Sequence, residues 1–436
     1  MQTTMTPQGG QAGSAGLAHQ NKLIGLMMSL FFAFGFCTVL VDTLIPKLKG
    51  MFQLSYAEVM LTQFCFFLAY FIVSAPAGWL LTKIGYLRGV TLGLLVMAGG
   101  CLLFTPAAEL GTYPGFLLAL FILASGVTTV QVAANPMTAS LGDPSKSHAR
   151  LTLAQAFNSL ATMVGPIFGS ALILRGNVAL PEPATLTAPA LAALRRHEAQ
   201  AVQLPFMGIA VALLALAALC WVLRRWAPVA AAQSGGGATL RLLKNRRLAL
   251  GAVSIFAYVG AEVSIGSAIA NYLMSGHVLG LKPQVAGSLV SVYWGLAMVG
   301  RFIGAAALRK LSPGKVLTGC AIGAGCLAAA SGLSTGMVAA VTILAIGLFN
   351  SIMFPTIFTL AIEELGEETP QGSGILCQAI VGGAVVPLIT GFAADRLGLS
   401  LALFVPVVCY VWIATYGWLT ARSPAHAGET LGEVLG

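Results

Sequence analysis

Long apolar runs separated by short polar clusters occupy the chain from residue 23 to residue 421. Runs suited to single helices fall at 23–46, 56–82, 87–107, 113–141, 150–174 and 203–224. Six more follow at 248–276, 284–309, 314–333, 337–362, 372–394 and 400–421. Each is near the ~20 residues that a helix needs to cross the hydrocarbon of a bilayer. A helix is also the open form that satisfies its own backbone where no water can. The intervening stretch 225–247 holds Gly235, Gly236 and Gly237, then Arg241, Lys244, Arg246 and Arg247, and divides the runs into two sets of six. The pattern predicts an all-α membrane protein with twelve transmembrane helices in two pseudo-symmetric bundles, 23–224 and 248–421. Residues 1–22 are read as a disordered cytoplasmic tail, 225–247 as a cytoplasmic linker and 422–436 as a second cytoplasmic tail.

Composition agrees with this pattern. Of 436 residues, 57% are hydrophobic and 8% charged, against about a quarter charged in a soluble domain. Such a chain cannot cover a water-facing surface, and no room is left for a separate soluble domain. The net charge of +9 would suit a nucleic-acid binder if it were clustered on one surface, but the basic residues sit in short groups between apolar runs. With the N-terminus inside, inner segments hold fifteen Lys and Arg and outer segments seven, with Arg301 inside a helix. That bias places both termini in the cytoplasm. The first apolar run contains Asp42, which a cleaved signal peptide would not, so it is expected to stay in the mature protein. Eight cysteines lie in apolar stretches without a CxxC pair, which excludes a zinc or disulfide framework as the organising element.

The halves echo each other. Gly78-x4-Lys83-x-Gly85-x2-Arg88 follows the second run, and Gly304-x4-Arg309-Lys310-x4-Lys315 follows the eighth. Gly165-Pro166-x2-Gly169 in the fifth run is answered by Pro387-x3-Gly391 in the eleventh. Internal repeats of this kind are how many secondary transporters are built.

Ionisable side chains deep in hydrocarbon cost about 2.5–3.5 kcal/mol on insertion scales, so they tend to face a cavity or a partner. Asp42, Glu262 and Arg301 are in that position. The first two are candidate coupling acids, and Arg301 a candidate ion-pair or gating group. Gln131 and Asn135, four apart, share one face of the fourth helix, and Gln155 and Asn158, three apart, share one face of the fifth. The short inner loop between these helices puts both pairs at similar depth. Amides donate and accept at once, as a ring of sugar hydroxyls requires. Asn271 and Trp294 complete the expected substrate-contacting set. Tyr258, Tyr272, Tyr293 and Phe354 are further aromatic candidates for the apolar face of a sugar.

The stretches Gln131-Val-Ala-Ala-Asn-Pro136 and Arg150-Leu-Thr-Leu-Ala-Gln-Ala-Phe-Asn-Ser159 resemble the fucose–galactose–glucose:proton symporters of the major facilitator superfamily. So do Tyr258-Val-Gly-Ala-Glu-Val-Ser-Ile-Gly-Ser267, Gly300-Arg-Phe302 and Phe354-Pro-Thr-Ile-Phe358. The resemblance runs from about residue 23 to residue 420 and is nearest the glucose/galactose branch. It implies cation-coupled symport of a monosaccharide across the bacterial inner membrane by alternating access, carried by a monomer without cofactor. By the same resemblance, Asp42 matches an aspartate used for sugar binding and proton coupling in fucose-transporting members, and Asn158 an asparagine at their sugar site. Gln131 stands where those members have a coupling glutamate, and Glu262 where they have a glutamine. The second membrane carboxylate is thus displaced from the fourth helix to the seventh, which leaves proton and sodium both open as the coupling ion.

A proton-antiport exporter of a drug or metabolite is the alternative, because Ala161-x3-Gly165-Pro166-x2-Gly169 resembles the antiporter signature of the fifth helix. No Gly-x4-Gly-Lys-Ser/Thr loop is present to drive transport with ATP. Gly332-Leu-Ser334-Thr-Gly336 has the spelling of a hydrolase elbow but falls between two apolar runs without the strand that motif needs.

The topology gives a direct test. Single cysteines at Asn177 and Gly236, in a background lacking native cysteines, are expected to react with an impermeant thiol reagent from opposite sides of the membrane. Labelling of both from one side overturns the assignment. The outer loop 176–202 is further expected to hold a short helix near 187–202.

Overall fold

The computed structural model describes residues 20–39, 52, 56–110, 112–172, 188–226 and 239–421. Asp42, Asn177, the three consecutive glycines of the linker, residues 1–19 and residues 422–436 lie outside the described residues, and helix begins at Gln20, three residues inside the tail expected to end at 22. The first half consists of α1 (Gln20–Val39), α2 (Tyr56–Ile84), α3 (Tyr86–Leu110), α4 (Tyr113–Ser140), α5 (Ser147–Leu172) and α6 (Ala188–Leu223). The second comprises α7 (Arg246–Met274), α8 (Pro283–Ala307), α9 (Pro313–Leu333), α10 (Gly336–Asn350), α11 (Met353–Ile362), α12 (Thr369–Gln378), α13 (Gly382–Leu397), α14 (Leu399–Ala402) and α15 (Phe404–Ala421).

Eleven of the described segments are long and apolar enough to cross a membrane. The twelfth expected crossing is α5, which is long enough at 26 residues. Its Arg150, Thr152, Gln155, Asn158 and Ser159 lower its hydropathy, and those groups turn out to face other helices. Large apolar residues such as Leu204 (78% exposed), Leu388 (73%) and Val408 (70%) stand open on the outside, the inverse of a water-soluble surface and the form of a lipid-facing one. The protein is a multi-pass membrane protein. All eight cysteines are free.

Three expected boundaries shift. The loop helix expected at 187–202 and the sixth crossing are one 36-residue helix that runs through Pro205. At 1.5 Å per residue it is about 54 Å long, well beyond a hydrocarbon core of roughly 30 Å. The tenth crossing is divided into α10 and α11, and the eleventh into α12 and α13 with a 3-10 turn, Ala379–Val381, between them. The Gly332–Gly336 spelling is a corner between α9 and α10. There Gly336 adopts φ +61° and Ser334 Oγ caps Ala330 O at 2.6 Å.

Within the first half α3 packs on α4 and α6, and within the second α9 packs on α15 and α10 while α7 packs on α15, α13 and α11. Across the halves α2 meets α12, and α5 meets α8 and α11. One proline acts on this seam and a second just beside it, within the second half. Proline has no N–H, so within a helix it leaves the carbonyl four residues earlier without its donor. Pro136 frees Val132 O, and Ser373 Oγ from the other half donates to it at 2.7 Å. Pro355 frees Ser351 O at the break between α10 and α11, and Arg301 Nε donates to it at 3.2 Å. Glycines let the backbones close: a Cβ on Gly374 would lie 2.7 Å from Ser74 O, and one on Gly78 2.8 Å from Pro370 O. The seam runs inward from the middle of the helices to the side bearing the basic loops.

Backbone oxygen cannot yield as a flexible side chain can. Gly374→Leu is therefore expected to wedge α12 from α2, lowering the unfolding temperature of the purified protein and raising reactivity of a seam cysteine from the side bearing the basic loops. Unchanged stability and reactivity would show that the close approach is dispensable.

Candidate substrate and coupling site

The second half builds its site around α7. Asn245 caps that helix, its side chain accepting from the N–H groups of Arg247 and Leu248 at 3.0 and 3.2 Å. Near the middle of the helix Glu262, partly buried, accepts a hydrogen bond at 2.7 Å from the hydroxyl of Tyr258 one turn earlier. Tyr258 is buried and its ring centroid lies 6.4 Å from that of Phe354 on α11. One turn after Glu262, Gly266 leaves room for the Trp294 indole of α8, which a Cβ there would meet at 3.3 Å. Trp294 packs edge-on against Tyr293 at 5.1 Å and stays 38% exposed. Behind it lies a buried chain: Asn350 Nδ2 donates to Tyr293 Oη, and Tyr410 Oη donates to Asn350 Oδ1, each at 2.8 Å. Fully satisfied buried networks of this kind fix the positions of the groups they support.

Arg301 on α8 does not reach for the membrane surface. It is 8% exposed and turns inward, donating from Nε to Ser351 O at 3.2 Å and from Nη1 to Gln155 O at 3.0 Å and to Ser159 Oγ. Its charge also interacts with Glu262, Tyr258 and Tyr293. One guanidinium therefore spans both halves and lies in the field of the carboxylate.

The four amides of the first half have different surroundings. Gln131 Nε2 donates to Tyr70 Oη on α2 at 2.8 Å. Asn158 Nδ2 donates to Phe31 O on α1 at 3.2 Å, its side chain lying over Gly35. Both keep part of their surface open. Gln155 is buried beside Arg301. Asn135 is 0% exposed, has no oxygen or nitrogen partner, and lies beside the Cys377 thiol of α12. Asn271 is exposed close to the end of α7, about 13 Å along the axis from Glu262. Tyr272 donates to Ser331 O at 2.5 Å inside the bundle. Asp42 lies outside the described residues. A cavity of about 320 Å³ between α1, α5 and α8 is lined by Met28, Leu153, Phe302, Arg150 and Arg309. It lies toward the basic-loop side and includes none of the expected sugar-contacting residues. Among the described residues no cluster of His, Cys, Asp and Glu is arranged to hold a metal ion.

Of the groups that join the halves, Ser373, His148 and Thr359 carry no signal in the sequence, while Arg247 and Glu363 stand out there only as members of a basic stretch and of an acidic run. His148, 3% exposed at the start of α5, contacts Thr359 and Glu363, 211 and 215 residues away. No local spacing announces such a pair. The acidic run from Glu363 to Glu368 was visible, and the prolines at 136 and 355 were a usable signal for carbonyls in need of donors.

Comparison with known proteins closes the question of family. Residues 26–377 match the model of the Major Facilitator Superfamily. The chain is 50% identical over 399 residues to the glucose/galactose transporter of Brucella abortus, covering 90% of this chain and 93% of that one. It is 34% identical over 412 residues to the L-fucose–proton symporter of Escherichia coli, covering 92% and 93%. The crystal structure of the major facilitator transporter FucP in the outward conformation matches with a TM-score of 0.86 and 31% identity, over 93% of this chain and all of that one. These relatives are transporters, not enzymes. With its paired bundles, its spanning helices and a family match across most of its length, the chain belongs to the major facilitator superfamily.

Proposed function

We propose that the protein is a proton-coupled symporter of a hexose of the glucose/galactose type, working by alternating access in the cytoplasmic membrane with both termini inside. The observation that carries this reading is its 50% identity over 399 residues to a glucose/galactose transporter. The similarity to an L-fucose–proton symporter supports the proton. Sodium is the competing ion, and the same experiment separates them. The domain division at 225–247 belongs to this reading, as does the expectation of a monomer. The likeness to an outward conformation and the inner seam together support an outward-facing state.

In this reading the sugar lies between α4, α5 and α7. Gln131, Gln155 and Asn158 offer amides to its hydroxyls, with Asn135 and Asn271 as secondary members, and Trp294 covers an apolar ring face. Glu262 and Asp42 carry the coupling. Glu262 is suited to it because Tyr258 holds one carboxylate oxygen while the residue is only partly buried. Neutralising it removes a charge that would be costly to carry through a closed intermediate. The exporter alternative rests on the Gly165-Pro166 motif. A side chain on Gly165 would collide with Val39 and approach Phe36, so this glycine serves the close packing of α5 on α1.

Radiolabelled glucose or galactose uptake into proteoliposomes, with a pH gradient or a sodium gradient imposed separately, tests the whole reading. Accumulation driven by the pH gradient alone is the expected result, and accumulation under neither gradient overturns it. Asn158→Ala is expected to weaken sugar binding by roughly tenfold, since a buried hydroxyl left without its partner costs about 1–3 kcal/mol. Unchanged affinity in a titration of folded protein removes Asn158 from the site. For coupling, Glu262→Gln or Asp42→Asn, at least one of the two, is expected to abolish accumulation while leaving sugar exchange. Retained accumulation in both variants would place the ion site elsewhere.

A further inference from the structure

On the basic-loop side, α5 and α11 run antiparallel and meet through polar groups one turn apart. His148 meets Thr359, while Thr152 and Thr356, one turn deeper on each helix, are buried without partners. Next along the seam comes Arg301 with Gln155, Ser159 and Ser351. His148 is the one titratable ring in this series, and its hydrogen bonds constrain its protons.

Its Nε2 lies 3.1 Å from Glu363 Oε1. Arg247 pairs with the other carboxylate oxygen of Glu363, which keeps Glu363 ionised and able only to accept. Nε2 therefore carries a hydrogen. Nδ1 lies 2.5 Å from Thr359 Oγ1, whose single hydrogen goes either to Nδ1 or to a carbonyl of its own helix, Pro355 O at 2.8 Å or Thr356 O at 3.2 Å. If the hydroxyl points at either carbonyl, Nδ1 must also carry a hydrogen and the ring is an imidazolium. A rotation of one hydroxyl thus lets the same pocket hold the ring neutral or charged, without moving a heavy atom.

We propose that His148 is a cytoplasmic proton-binding site that senses internal pH and, when protonated, locks the inner gate shut. The charges around it give the sign. Glu363 and Glu364 at the end of α11 face Arg247 of α7, which bridges both. Two carboxylates and one guanidinium leave one negative charge uncompensated, and a proton on His148 neutralises it. Tyr416 of α15 donates its hydroxyl to Arg247 O at 3.5 Å. On the side of His148 itself, Asp143 is bound by Ser145 Oγ and N at 2.8 and 3.0 Å, and by Lys146 at 3.4 Å. Arg150 is turned to the carbonyls of Thr138, Ala139 and Asp143.

His148 belongs to the first half, whereas Thr359, Glu363 and Arg247 belong to the second, so opening the seam separates the ring from its counter-charge. A proton bound more tightly in the closed state must, by reciprocity, favour that state. Histidine is the side chain whose ordinary titration falls nearest cytoplasmic pH. Acid inside the cell therefore holds the gate closed, and alkalinity releases it. In a carrier that brings protons inward, this is a brake applied by its own product. The inference rests on the alternating-access reading but on neither the sugar nor the coupling ion, and its test uses neither.

The test is the reactivity of Thr356→Cys, in a background without native cysteines, toward an impermeant thiol reagent from the cytoplasmic face, with no sugar and no gradient. Rates with His148 and with His148→Gln are compared at about pH 6 and about pH 7.5, so that intrinsic thiol reactivity cancels at each pH. The His148→Gln protein is expected to label faster by roughly threefold or more at the acidic value, with a much smaller ratio at the alkaline one. Glu363→Gln is expected to lose the pH dependence likewise. If the cysteine variant does not fold, hydrogen exchange of residues 353–362 in protein with its native cysteines gives the same comparison. An equal ratio at both pH values, by either measurement, overturns the proposal.

Discussion

The seam between the halves depends on backbone carbonyls that proline leaves without a donor. In hydrocarbon such a group has no water to turn to, and each one left unsatisfied costs several kcal/mol. Pro136 creates one in the first half, and its donor comes from across the seam, from Ser373. Pro355 creates another within the second half, and Arg301, which donates to it, also donates across the seam to Gln155 O. This bonding brings α2 against α12 and α5 against α8, and it gives the close glycine contacts their position. It also sets a condition on opening: when the halves part, Val132 O loses its donor Ser373 and Gln155 O its donor Arg301, unless water follows. A gate built in this way can open to water but not to lipid.

Much of this was legible in the sequence. Twelve apolar runs, the basic stretch 225–247 and the paired glycine–basic motifs depend on local composition, which hydrocarbon enforces residue by residue. The family motifs around Gln131, Asn158 and Glu262 were equally plain. What escaped depended on contacts distant in sequence. The break between α10 and α11 is not encoded by polarity, since Ser351 lies in an apolar run. It becomes stable because Arg301, fifty residues earlier, takes the freed carbonyl. The joining of residues 187–202 to the sixth crossing was hidden by Pro205, a residue usually read as a boundary, which here is contained within one helix. His148 lay beside the motif starting at Arg150 and drew no notice, because its partners are more than 200 residues away.

The amides illustrate a subtler limit. Spacing placed Gln131 with Asn135 and Gln155 with Asn158 on shared faces, but a face of a helix is wide. In the folded protein Gln131 meets α2, Asn158 meets α1 and Asn135 is closed off against α12. Depth was readable from the loop; direction was set by glycines on other helices, such as Gly35 beneath Asn158. Groups bonded to protein in this way can exchange those bonds for other hydrogen-bonding partners at small net cost, since one hydrogen bond replaces another.

Arg301 ties this site to the seam. In a medium of low dielectric a charge depends on its nearest counter-charge far more than it would in water. Arg301 feels Glu262 on one side, while its hydrogen bonds on the other go to neutral acceptors, Gln155 O, Ser159 Oγ and Ser351 O. Two of those acceptors, Gln155 O and Ser159 Oγ, lie on α5, so a buried charge makes the contacts that close α5 on α8. Arg301 thus has neutral partners in the first half and its charged neighbour in its own half, and under the coupling role proposed for Glu262 the site and the seam share one guanidinium.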